Sequence, residues 1–159
     1  MDIKESLKGQ YRASLKMMRE CVAVCPEDLW VAGEHPRNFW RIVYHSLYYT
    51  HLYLMPSEKE FVAWGRHRSD SRILWDQPAV EEPYSVAETL EYLDFIADRM
   101  EKWVDALNLE SPETGIPWYK NMGKFEHQLV NLRHIQGHVG QLSELLMARG
   151  IETTWVGKS

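Results

Sequence analysis

From Ile3 to Val24 the apolar residues Ile3, Leu7, Tyr11, Leu15, Met18 and Val22 recur at steps of three and four, the spacing that puts them on one face of a helix. Pro26 closes this first helix, because its ring disfavours helical backbone at the residue before it and removes an amide donor. A second helix is predicted from Asn38, placed to cap the amides of Trp40 or Arg41, to Met55 ahead of Pro56. Apolar and aromatic residues cover most of its circumference, so contacts are expected on more than one side, and a subunit interface would explain them. Ser85 and Glu88 form a capping box that opens a third helix, and its stripe runs through Val86, Leu90, Leu93, Ala97, Met100, Val104 and Leu107 to Asn108. The fourth helix starts near Lys124 and ends at Gly150, a natural left-handed cap preceded by Arg149 at the negative end of the dipole.

Between the second and third helices, Ser57 to Tyr84 show weak periodicity yet carry Phe61, Trp64, Ile73, Leu74 and Trp75. A connection of this length and apolar content is expected to cross over and pack on the body. The fold class read from the pattern is therefore all-α: a four-helix bundle with a long crossover connection between helices two and three, in one domain over residues 1–159. After the third helix comes a loop, Ser-Pro-Glu-Thr-Gly-Ile-Pro, from which Trp118 and Tyr119 are expected to tuck back onto the body.

Composition narrows the functional classes. A chain of 159 residues buries about two-thirds of the surface it exposes when unfolded, enough for a core without disulfides or a structural metal, so any metal site is expected to be functional. Eighteen Lys and Arg against 23 Asp and Glu give a net charge of −5 with no basic block, which argues against nucleic acid and against an anionic membrane surface. Cys21 and Cys25 sit four apart in a helical pattern, unlike a CxxC pair, and read as small core hydrophobes. The start Met-Asp-Ile-Lys-Glu lacks a basic region and apolar run, and the most apolar stretch, Val43 to Met55, is broken by His45, Ser46, Thr50 and His51; a soluble, cytoplasmic protein is expected. Seven Trp, eight Tyr and seven Met exceed what a minimal core needs, so part of this set is available to line a pocket.

The chemistry concentrates in histidines. His134 and His138 lie four apart on the fourth helix, on one face and roughly 6 Å apart along its axis. Two such imidazoles can share an ion, or can simply be two partly exposed histidines, and a third ligand is needed to decide. Gly137 and Gly140 beside them each cost about 1 kcal/mol in a helix interior, which asks for close approach of a neighbouring helix or of a ligand. His45 falls on the apolar stripe Ile42, His45, Tyr49, Leu52 of the second helix, where its ring nitrogens need a hydrogen-bond partner or a metal. The sequence argues against a zincin protease, because Ile135 and not Glu follows His134.

Helix two, Asn-Phe-Trp-Arg-Ile-Val-Tyr-His-Ser-Leu, and helix four, Leu-Arg-His-Ile-Gln-Gly-His-Val-Gly-Gln-Leu, resemble the two histidine-bearing helices of the DinB-like superfamily. Its members carry a histidine on the second helix and an HxxxH on the last, followed by a small residue or Arg and then Gly-Gln; here the ending is His138-Val139-Gly140-Gln141. With the helix count and the long second connection, the resemblance spans most of the chain. It implies a four-helix bundle, often a homodimer, whose three histidines bind a divalent metal, and by motif position the ligands carry over to His45, His134 and His138. The resemblance implies zinc, nickel or iron, all of which occur in such sites, and three neutral imidazoles with open positions suit a range of first-row metals. Some members of the family use such a metal to bring low-molecular-weight thiols to electrophilic substrates, and many have no assigned activity.

The expectation is thus a metal-dependent enzyme acting on a small molecule, by thiol transfer or hydrolysis. The alternative is a non-catalytic, dimeric bundle that binds a metal or ligand. Trp40, Tyr48 and Tyr49 can line the cavity or simply pack. Gln141, one turn past His138, can orient a bound water or make a helix–helix bond. His127 shares the face of His134 but lies roughly 10.5 Å along the axis, too far to share an ion and placed for a pocket mouth. His35, His51 and His67 read as surface or packing residues. A carboxylate, from Asp94, Glu91 or Glu144, is expected to hold the free nitrogen of a ligand imidazole.

Overall fold

A computed structural model describes residues 2–159. Among them every regular element is a helix, with no strand: α1 (Ile3–Val24), α2 (Glu27–Trp30), α3 (Phe39–Tyr53), a 3-10 turn (Glu58–Glu60), α4 (Val86–Ala106) and α5 (Lys124–Met147). Among the described residues no helix is long and apolar enough to cross a membrane.

The helix ends follow local chemistry. Asp2 caps α1 by accepting from the Glu5 amide at 3.1 Å, and Ser85 and Glu88 close their capping box through bonds of 3.1 and 2.9 Å. Asn38 does stand before α3, but its side chain caps nothing there. Its amide donates instead to the carbonyls of Val31 and Gly33, at 3.2 and 2.8 Å, pinning the preceding turn. The pattern overran three helix ends: α3 stops at Tyr53, α4 at Ala106 and α5 at Met147. Gly150 adopts the left-handed φ of 74° expected of it, while the Ile151 amide reaches back to Leu146. The unexpected element is α2, which starts after Pro26 and buries Leu29 and Trp30, the indole donating to the Tyr84 carbonyl at 2.7 Å.

Helix α1 packs on α4 and α5, and α3 packs on α5 and α4. Their shared core is built from Tyr11, Met18, Tyr44, Leu47, Tyr92 and Ile135, all buried. Both cysteines are free, Cys21 buried and Cys25 half-buried. The segment between α3 and α4 lies against the helices. Trp64 stacks on Tyr92 at 4.7 Å and Tyr84 on Tyr44 at 4.5 Å, and the fully buried Arg41 donates to the carbonyls of Asp70 and Ala79 at 2.7 and 2.9 Å. This packing covers α3, whose residues from Phe39 to Tyr53 are nearly all buried within the one chain. Its apolar girth therefore calls for no second subunit.

The segment between α4 and α5 also folds back. Trp118 donates to the Tyr53 hydroxyl at 3.3 Å, and the buried Lys124 ammonium donates to the carbonyls of Met55, Pro56 and Thr114. Gly115 has φ 75°, and a Cβ there would fall on the Pro56 carbonyl, so only glycine fits this crossing. Gly137 and Gly140 differ: both are exposed, and a Cβ at either would meet nothing within 4 Å. The close helix approach expected at these two is not supplied by this chain.

Candidate metal centre

The packing of α3 on α5 brings His45 against the His134–His138 pair. One ring nitrogen from each of the three lies within 4.8 Å of the others, and the ring centroids are 5.0, 4.9 and 4.7 Å apart. His45 is buried and the other two are half-buried, so the cluster sits at the edge of the core.

Hydrogen bonds at the far side of the rings decide which nitrogens face inward. His45 Nδ1 lies 2.7 Å from the Arg72 carbonyl, which can only accept, so the proton is on Nδ1 and the lone pair on Nε2. His138 Nδ1 likewise donates to Gln141 Oε1 at 3.0 Å. His45 Nε2 points at His134 Nε2, 3.0 Å away, close to the ~3.3 Å between two nitrogens that share a tetrahedral zinc. The other nitrogen of His134, Nδ1, is buried with no hydrogen-bond partner among the described residues. The ligand set thus fits a divalent cation: neutral imidazoles, inward lone pairs and a spacing suited to one ion.

Charge on the rings is disfavoured as well. Burial pushes His45 down to about 4 against the pull of the Arg72 carbonyl, and burial with the neighbouring rings pushes His134 to about 3. His138 is lowered by burial too. All three are neutral at pH 7, the state in which imidazole ligates.

The expected supporting carboxylate is replaced by a backbone carbonyl and an amide. Asp94 is paired with Arg19 and Glu91 with Arg66, and Glu144 is exposed. The reason is the connection packed over α3: it sets the Arg72 carbonyl beside His45 before any acidic side chain can reach the ring.

Beside the cluster lies a cavity of about 400 Å³ lined by Tyr48, Tyr49, Leu52, Arg72, Trp75 and Trp118, with Glu58 among its walls. Tyr49 and Trp75 belong to both sites, their rings 4.8 and 6.0 Å from His45. Tyr48 and Tyr49 therefore take the lining role open to them, and Gln141 acts on His138. Trp40 does not reach the cavity. Five residues before His45 it is turned about 140° away, and it is buried with its ring edge-on to Tyr84 at 6.0 Å.

His127 is not at a mouth either. It is fully buried against Tyr53 and Tyr119, ring centroids 4.7 and 5.1 Å away, because the segment before α5 folds over it. His51 is a packing residue, stacked on Trp103 at 4.9 Å with Nδ1 3.0 Å from the Tyr92 hydroxyl. His67 meets the Tyr44 hydroxyl and His35 the Pro78 carbonyl. Arg72, Trp75 and Trp118 are the site residues that sequence reasoning missed. The signal for Arg72 and Trp75 was their spacing of three in an aperiodic but aromatic connection, and for Trp118 its expected return to the body from the next one.

No family model, curated protein or solved structure matches this chain.

Proposed function

We propose that the chain is a divalent-metal-dependent enzyme of the DinB-like type that acts on a small molecule. In this reading α1, α3, α4 and α5 form a four-helix bundle, the segment between α3 and α4 is its long crossover, and His45, His134 and His138 hold zinc, nickel or iron. The observation that carries it is the convergence of three neutral imidazoles whose ring nitrogens lie within 4.8 Å of one another. When bound, the ion supplies Lewis acidity that lowers the pKa of a coordinated water or thiol and makes a nucleophile at neutral pH.

The chain's own residues prepare that chemistry. The Arg72 carbonyl and Gln141 fix two of the rings in the tautomer that ligates. Tyr49 and Trp75 screen one flank of the cluster from water. The cavity beyond them has room for a small substrate, and the reaction is thiol transfer from a low-molecular-weight thiol, or hydrolysis. Self-association as a homodimer belongs to this reading, and the outer face of α5, where Phe125, Leu129 and Met147 are exposed, is available for it.

A second reading, metal or ligand binding without turnover, draws on the make-up of the cluster. Among the described residues it contains three imidazoles and no carboxylate that would serve as general base. Assay of zinc-, nickel- and iron-loaded protein with small thiols and aryl or alkyl electrophiles separates the two. Metal-dependent conjugation or hydrolysis, lost in His134→Ala, is expected; stoichiometric metal with no turnover across the panel would favour the binding protein.

A further inference from the structure

The cavity beside the histidines carries one cation, Arg72, on its wall. Arg72 enters no ion pair among the described residues, and its guanidinium lies 5.6 Å from the centre of the Tyr48 ring. Its backbone is fixed, because the same residue's carbonyl holds His45 at 2.7 Å. The rest of the wall is flat and aromatic, and two of its members, Trp75 and Trp118, are half exposed, at 47% and 50%. Such indoles on facing connections are costly to leave in water and offer stacking surface to a planar guest. Glu58 is the single acidic group among the lining residues, so a ligand with several negative charges is disfavoured.

We infer that this cavity binds a small aromatic carboxylate, its ring between Tyr49, Trp75 and Trp118 and its carboxylate on the Arg72 guanidinium. A guanidinium matches a carboxylate with two parallel bonds, which fixes orientation as well as affinity. Tyr49 and Trp75 also touch His45, so the guest lies against the candidate metal centre, and its role as substrate rests on the function proposed above. The binding itself does not. A volume of about 400 Å³ suits a guest of one or two rings.

The test uses the full chain stripped of metal with EDTA, so that no ion competes for the carboxylate. Phenylacetate, 3-phenylpropionate and 4-phenylbutyrate are titrated, each against its own carboxamide, with quenching of tryptophan fluorescence as the readout. At least one acid is expected to quench saturably and about tenfold more tightly than its amide, the effect of one charge-assisted contact. Arg72→Met should abolish that preference and Arg72→Lys should retain part of it, with far-UV circular dichroism unchanged in both. Trp75→Ala should weaken acid and amide alike. Equal affinity for acids and amides, no saturable quenching by any of the three acids, or a preference that survives in folded Arg72→Met would overturn the inference. Zinc uptake by the same preparation, after EDTA is removed and zinc is added back, keeps the two ideas apart. Acid preference without zinc uptake sinks the metal reading alone, and zinc uptake without acid preference sinks this one alone.

Discussion

Six histidines in this chain are held below their ordinary pKa by burial, yet their partners give them different roles. His45 and His138 spend Nδ1 on acceptors and turn Nε2 inward. His51 spends its Nδ1 on a tyrosine inside an aromatic cage, and neither ring nitrogen of His127 has a hydrogen-bond partner among the described residues. Burial lowers His51 to about 4, helped by Arg99, and His127 to about 4, helped by Lys124. The folded chain therefore binds fewer protons than the unfolded chain below the ordinary value of 6.5. Stability from these two groups is complete above that pH and is lost as the pH falls toward the folded value. Each should cost about 2 kcal/mol between pH 6.5 and 4.5. Urea unfolding at pH 7 and 4.5 checks this: His51→Phe should lose about 2 kcal/mol less than the parent chain over that interval. The same loss in both proteins would show that His51 does not titrate with unfolding.

The elements that place the site are the connections as much as the helices. Arg41 binds the α3–α4 segment through two carbonyls, and that segment delivers Arg72 and Trp75. Arg41→Met leaves both carbonyls unpaired and should lower stability by about 3 kcal/mol in urea, with faster amide exchange across residues 61–84. Retained protection there would mean that aromatic packing alone holds the segment. On α5, Gly137 faces open space, so Gly137→Ala should add about 1 kcal/mol through lower chain entropy. A fall in the thermal midpoint would show instead that something outside this chain seats against that face. Caps and stripes made the long helices legible in the sequence, and a four-residue spacing put His134 and His138 on one face. Helix α2 was invisible because four residues are barely one turn. That Arg72, Trp75 and Trp118 meet at the site was not legible, although packing of Trp75 and Trp118 on the body was, because they lie where no period operates and only tertiary clamps, Arg41 and Lys124 among them, set their positions. Asn38 misled for a related reason, since its amide found carbonyls of the turn before the helix closer than any cap.

For the whole molecule, the decisive feature is how α3 and α5 meet. At their interface one buried imidazole faces two from the neighbouring helix, and the connection over α3 adds an aromatic cavity beside them. A core of this size stands without a metal, since the helices bury their apolar faces against one another. An ion at the cluster is therefore expected to add stability without being required for folding, by mass action in proportion to its excess over Kd. The measurement that tests the central claim most directly is elemental analysis of the purified, untagged chain after loading with zinc, nickel or iron, set beside His45→Ala. The account predicts close to one ion per chain, absent from the variant, while both proteins keep the same helical circular dichroism. A parent chain that takes up no ion, or a folded variant that holds as much as the parent, would contradict it.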